Sequence, residues 1–201
     1  MRLRLLAALL LLVACTARPG NNESFDAWLR GDATRSAAFK RFSELMAEEG
    51  VADVVPLHEL WMVDRLRPEC SASPFAVPAE TRWSNIVPAL RFIRDHVEPT
   101  IGSVRVVSAF RDDAFNACIG GAPASAHRSY HALDLVPLDH AVTREVLIER
   151  LCALHASEGP ANDVGLGIYS GVRFHIDARS YRGWGGDHRA GSFPCQTGPP
   201  D

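Results

Sequence analysis

Apolar positions recur at helical spacing through the first half of the chain. Phe25, Trp28 and Leu29 within Glu23–Leu29 predict a short helix closed by Gly31. Phe39, Phe42, Leu45 and Met46 form one stripe of a second helix over Ala33–Glu49, and Gly50 stands where a C′ glycine belongs. A short apolar piece, Val51–Val55, ends at Pro56, and Leu57–Leu66 then carries Leu60, Trp61 and Val63. At this spacing the early aromatics read as core rather than as a stacking platform for a ligand. Arg67–Glu80, with Cys70, Pro74 and Pro78, reads as a stapled loop. Trp83–Val97 returns to helical spacing through Ile86, Leu90, Phe92, Ile93 and Val97. Pro88 is tolerated only near that helix's start, and Pro99 with Gly102 is expected to stop it.

The pattern then changes. Val104, Val106 and Val107 within Ser103–Phe110 give a β-branched strand signal. Asp112–Ile119 reads as a short helix ended by Gly120-Gly121. His131–Val136 alternates, with Leu133 and Leu135 on one face and Ala132, Asp134 and Val136 on the other. Val142–Ser157 is an amphipathic helix through Val146, Leu147, Leu151 and Leu154, with Asp139 or Thr143 near its cap. Val164–Tyr169 and Val172–Ala178 are two strands flanking Ser170-Gly171, a hairpin signal. The Gly-, Pro- and Arg-rich tail has no periodicity and is expected to be an irregular segment held by Cys195. Helices early and strands late predict an α+β fold: one domain over 23–201, its helical N-terminal half packed on a small, mainly antiparallel sheet.

Composition narrows the function. A chain of 201 residues with 47% hydrophobic content supports one domain with a real core. A net charge of −3 argues against nucleic-acid binding by counterion release. The start is unusual: Arg2 and Arg4 precede the apolar run Leu5–Val13, a pattern too short for a spanning helix and suited to export. Leu12-Val13-Ala14-Cys15 resembles a bacterial lipobox. This implies a signal peptide over 1–14, lipidation of Cys15 and a tether over 15–22. The neutral Thr16 after the cysteine goes with outer-membrane sorting in such lipoproteins. Without Cys15, an even set remains in an oxidising compartment: Cys70, Cys118, Cys152 and Cys195. None has metal-site spacing, so disulfides are expected, with three pairings open.

Candidate chemistry lies in two segments. His127 is followed seven residues later by Asp134, and His175-Ile176-Asp177 sits in a second strand-like run. Two imidazoles and a carboxylate from separate segments form a usual ligand set for catalytic zinc. If the strands are neighbours, His127, Asp134 and His175 become the ligands of a zinc ion carried by the sheet, and Asp177 the acceptor for a proton from water. The rival pair, His127 and His131, would need a helical segment with a glutamate where Arg128 stands. His188 would be a ligand only if the tail folded inward.

Ser108-Ala109-Phe110-Arg111, Asn116, Gly120-Gly121-Ala122, Ser125-x-His127, Ala132-x-Asp134, Gly165-x-Gly167-Ile168-Tyr169, His175-x-Asp177 and Arg179 together resemble the M15-type zinc D-Ala-D-Ala peptidases. The resemblance covers Ser103–Gly186. It implies Zn²⁺ on His127, Asp134 and His175, and an arginine, Arg111, that polarises the scissile carbonyl and steadies the oxyanion. It leaves Ser108, Asn116 and Ser125 to shape the site or meet substrate. It also implies peptidoglycan stem peptides as substrates, cut by D,D-carboxypeptidase or endopeptidase action. Together with the lipobox, the expectation is a periplasmic enzyme held to the outer membrane by its lipid anchor, and a monomer. Two positions depart from the family. Tyr130 stands where many relatives have glycine. Val172 stands where many carry a glutamate base, which leaves Asp177 as the nearby acid. The competing expectation is an envelope lipoprotein with the same fold that binds murein or protein without turnover.

Overall fold

The computed structural model describes residues 24–64, 67–71 and 73–196. Cys15, the leader over 1–14 and the tether over 15–22 lie outside the described residues. Helix α1 (Phe25–Arg30) is capped by Ser24, whose side chain accepts from Ala27 N. Helix α2 (Ala33–Glu48) is capped by Asp32 and ends in a Schellman turn: Gly50 N donates to Ala47 O and Val51 N to Met46 O. Gly50 takes φ +69°, as the apolar pattern followed by glycine predicts. Leu57–Trp61 forms a 3₁₀ turn rather than a longer helix, and the chain then runs extended, with Met62 bridged to Phe75.

The next helical stretch departs from expectation at both ends. It begins as a 3₁₀ segment over Glu80–Ile86 and becomes α3 (Val87–Phe92) with Pro88 in its first turn. It then widens to a π turn over Ile93–Val97 and continues as α4 (Glu98–Ile101). Pro99 therefore does not stop it. The wider turn just ahead of the proline relieves the clash that an α-helix would impose there. Gly102, at φ +84°, ends the stretch.

Strands β1 (Val104–Ser108), β2 (Ala132–Pro137), β3 (Val164–Ile168), β4 (Phe174–Ala178) and β5 (Arg182–Trp184) form one sheet in the order β1-β2-β4-β3-β5. All pairings are antiparallel except β3 with β5. Strand β5 was not expected: its three residues include a glycine, and parallel pairing rather than alternation places it. Helix α5 (Asp113–Cys118) follows β1. Helix α6 (Arg144–Glu158) precedes β3 and takes Thr143, not Asp139, as its cap. The cysteines pair as Cys70–Cys118 and Cys152–Cys195, the latter fixing the tail to α6.

Register sorts the two faces of the sheet. Leu133 lies opposite Ile176, and Ile176 opposite Leu166. Leu166 and Ile176, with Val164, meet Phe92 of α3 and Leu151 of α6 across one small gap. Directly opposed residues share a face, so the Asp134–His175 pair lies on the other side of the sheet. The early aromatics are core. Trp28, Phe42, Trp61, Phe75 and Trp83 are all buried, and Trp61 packs within 6.4 Å of each of Phe25, Trp28, Phe39, Phe42 and Trp83.

Candidate metal centre

The turn entering β2 brings His127 onto the face that carries Asp134 and His175. It is closed by His131 N donating to Ala126 O at 2.9 Å, with Tyr130 at φ +60°. This explains the departure at Tyr130: the backbone there needs a conformation that glycine adopts freely. The tyrosine is held in it by complete burial and by its hydroxyl, which donates to Leu60 O at 2.9 Å. A bulge in β1 between Val106 and Ser108 sets Ser108 opposite Asp134.

His127 Nε2, His175 Nδ1 and Asp134 Oδ1 lie 3.0–3.1 Å from one another, and all three residues are buried. The outer nitrogen of each imidazole is already engaged. His127 Nδ1 meets Ala109 O at 2.6 Å, and His175 Nε2 meets Asp177 Oδ2 at 2.9 Å. A backbone carbonyl can only accept, so the His127 proton belongs on Nδ1 and its lone pair on Nε2. With Asp177 ionised, His175 is assigned the same way. Three lone-pair atoms then converge on one point. Tetrahedral ligands at about 2.0–2.2 Å from an ion would stand about 3.3–3.6 Å apart, a few tenths of an ångström wider than the spacing here. The donor set fits a divalent cation, and among the described residues it is the group of acidic, histidine and cysteine side chains arranged to hold one.

At His127 and Asp134 the electrostatics agree with that use; at His175, without an ion, they favour the proton instead. Burial, then the nearby Arg111 charge, push His127 down to about 4, so it is a neutral ligand at neutral pH. Burial would raise Asp134, but His127 and Arg111 hold it well below the usual carboxylate range. In His175, burial is outweighed by bonds to Asp134 and Asp177, and the net shift is upward.

Asp177 is placed differently from the expectation of a proton acceptor. Besides His175 Nε2, its oxygens receive Arg182 Nη2 at 2.6 Å, Arg182 Nη1 at 3.0 Å and Arg179 N at 3.1 Å. It sits on the side of His175 remote from the convergent lone pairs. Gly165 and Gly167 make room for this arrangement: a Cβ would come within 2.6 Å of Asp177 Oδ2 at the first and of the Trp184 ring at the second. Strand β5 supplies both Arg182 and Trp184, whose ring stands 5.0 Å from that of His175.

Arg111 is buried; its Nε donates to Ser108 Oγ at 3.1 Å and its Nη2 to Asp134 Oδ2. Asn116 Nδ2 donates to Gly121 O and Ala122 O, which fixes the loop leading to His127. Ser125 helps form the same turn through its backbone, donating to Ala122 O at 3.0 Å. His131 bonds Ser129 Oγ, and His188 faces Tyr169 at 5.5 Å between ring centres; neither joins the convergent donors. Two residues that sequence reasoning missed complete the charge pattern. Arg173 Nη2 donates at 2.6 Å both to Asp134 Oδ2 and to Asp64 Oδ2. Alternation along β4 could have flagged Arg173, two positions before His175; nothing local flagged Asp64. A cavity of about 880 Å³ opens beside Asp64, Arg111, Asp134, Tyr169 and Arg173.

A small sheet carrying a buried His-Asp-His set, with an arginine beside an open cavity, is the kind of arrangement that a metal-dependent hydrolase uses. The Peptidase M15 family model matches residues 66–176, more than half of the chain, and the chain belongs to that family of metallopeptidases. Comparison with curated proteins and with solved structures returns no match.

Proposed function

We propose that the chain is a zinc-dependent peptidase hydrolysing D-amino-acid-containing stem peptides of peptidoglycan, as a D,D-carboxypeptidase or endopeptidase. In this reading it works in the periplasm, tethered by a lipid on Cys15 to the outer membrane. The observation that carries the proposal is the convergence of His127 Nε2, His175 Nδ1 and Asp134 Oδ1 with both outer imidazole nitrogens occupied. Zinc suits two imidazoles and a carboxylate, and when bound it supplies Lewis acidity to carbonyl and water oxygens. The chain's own residues do the rest. Ala109 O and Asp177 hold the two imidazoles in their ligand tautomers, as outer partners of metal-bound histidines do. Arg111, braced by Ser108, offers a fixed positive charge at the cavity wall for the oxyanion that develops on the scissile carbonyl.

A second reading, a murein-binding lipoprotein that keeps the metal without turnover, is favoured by one observation: Val172 replaces the family's acid, and Asp177 is turned away from the cavity. Metal analysis and digestion of purified muropeptides separate the two. The expected result is one zinc per chain and new products by mass, with zinc and products both lost in Asp134→Ala. Wild-type protein without stoichiometric zinc would end the peptidase reading; zinc without any cleavage would favour the binding one.

A further inference from the structure

Peptide hydrolysis requires a group that takes a proton from the attacking water, and neither expected position provides one. Val172 has no polar side-chain atom, and Asp177 is committed behind His175 to Arg182 and to the Arg179 backbone. Among the described residues, three carboxylates border the cavity: Glu59, Asp64 and Asp134. Asp134 belongs to the metal set. Glu59 Oε2 accepts from Val106 N of β1 at 2.8 Å, a structural tie to the sheet. The cavity's imidazoles are occupied in packing, His58 within 5.7 Å of the Phe25 ring and His188 within 5.5 Å of Tyr169.

Asp64 is paired too, but its partner stands beside the metal set. Its Oδ2 and Asp134 Oδ2 both lie 2.6 Å from the same nitrogen, Arg173 Nη2, so the two oxygens are at most 5.2 Å apart (2.6 + 2.6). The backbone ahead of Asp64 is pinned. Ala109 N donates to Met62 O at 2.9 Å, and Val63 N to Pro74 O at 3.0 Å. Asp64 is thus a buried carboxylate on a fixed segment, at the cavity wall, one guanidinium away from a metal ligand. It precedes the stretch that matches the family model, so the family pattern does not include it.

Resting on the peptidase reading, we infer that Asp64 is the proton acceptor of this enzyme and that Arg173 positions it. As the water oxygen bonds to the scissile carbonyl carbon, one water proton passes to the Asp64 carboxylate. When the C–N bond breaks, the same proton passes to the leaving nitrogen. One water is consumed, a carboxyl and an amine are released, and Asp64 returns to its starting state.

The test uses the zinc-loaded protein and a muropeptide that the wild type cleaves. Asp64→Asn should hold zinc with wild-type stoichiometry and keep KM, while kcat falls by about 10²–10⁴-fold. Added formate should restore part of the rate of Asp64→Ala, and Asp64→Glu should exceed Asp64→Asn by tenfold or more. Asp177→Asn should instead weaken zinc affinity by about 10–100-fold and recover near-wild-type kcat at saturating zinc. Turnover of Asp64→Asn within a few fold of wild type overturns the inference, as does loss of proton transfer in Asp177→Asn at full zinc occupancy. If Asp64→Asn does not fold, the formate response of Asp64→Ala and the rate of Asp64→Glu decide. A wild type that cleaves nothing defeats the peptidase reading itself, an outcome distinct from an active wild type with an active Asp64→Asn.

Discussion

Substituting Tyr130 separates two opposing contributions at one position. The ring is fully buried against Phe42 and Phe110, and the hydroxyl satisfies Leu60 O, so truncation is costly. Removing a buried aromatic ring costs about 3–5 kcal/mol. The backbone pulls the other way. At φ +60° a residue with a Cβ bears about 1–2 kcal/mol of strain that glycine does not. Glycine's greater freedom in the unfolded chain returns about 0.5–1 kcal/mol of that. Tyr130→Gly should therefore be more stable than Tyr130→Ala by about 0.75 kcal/mol at the midpoints of these ranges (about 1.5 − 0.75), the reverse of the usual order in regular structure. Both should fall well below wild type, and Tyr130→Phe should lose only about 1–3 kcal/mol for the abandoned Leu60 carbonyl. Urea unfolding with disulfides oxidised and metal chelated measures all four proteins on one scale. In a domain of this size, thermal midpoints should show alanine about 1–4 °C below glycine. An alanine variant as stable as the glycine variant would refute the account of why this turn suits glycine.

Two further outcomes follow from the tail and from α6. Replacing both Cys152 and Cys195 with serine opens a cross-link between positions 43 residues apart and should cost about 4 kcal/mol by chain entropy. A loss below about 1 kcal/mol in denaturant unfolding would count against it. His155 is buried with Nε2 on Val164 O, and burial lowers its pKa, so it folds neutral. The unfolded chain takes up the proton first as pH falls below about 6.5; this stability is complete above that pH and declines below it, by at most about 1.4 kcal/mol per unit. His155→Gln should flatten the stability difference between pH 7 and 5 relative to wild type, and an unchanged slope would exclude His155 as its source.

What was legible in the sequence depended on how local each cause was. The α2 terminus could be read because helix spacing and its stop glycine are adjacent. The meeting of Asp134 and His175 could be read because strand alternation fixes which side chains share a face and neighbouring strands bring them together, while His127 joins them from the turn before β2. The same alternation misled for Asp177. It shares a face with His175, yet Arg182 and the outer imidazole nitrogen capture it, and Arg182 comes from a strand too short to show a period. The helix through Pro99 escaped because a π turn is a backbone accommodation with no residue signature. Asp64 escaped because its meaning depends on Arg173, which is 109 residues away in sequence.

Strand β5 also bears on the order in which the centre can mature. A growing chain emits His127, Asp134 and His175 before Arg182 and Trp184, and the Cys152–Cys195 link can close only after both. Until β5 zips in parallel onto β3, Asp177 lacks its guanidinium partner and His175 its indole neighbour. Tight capture of a metal by the three ligands would thereby wait until nearly all of the domain has been made, so an unfinished chain would present only a loosely organised, easily reversed site to any cation it meets.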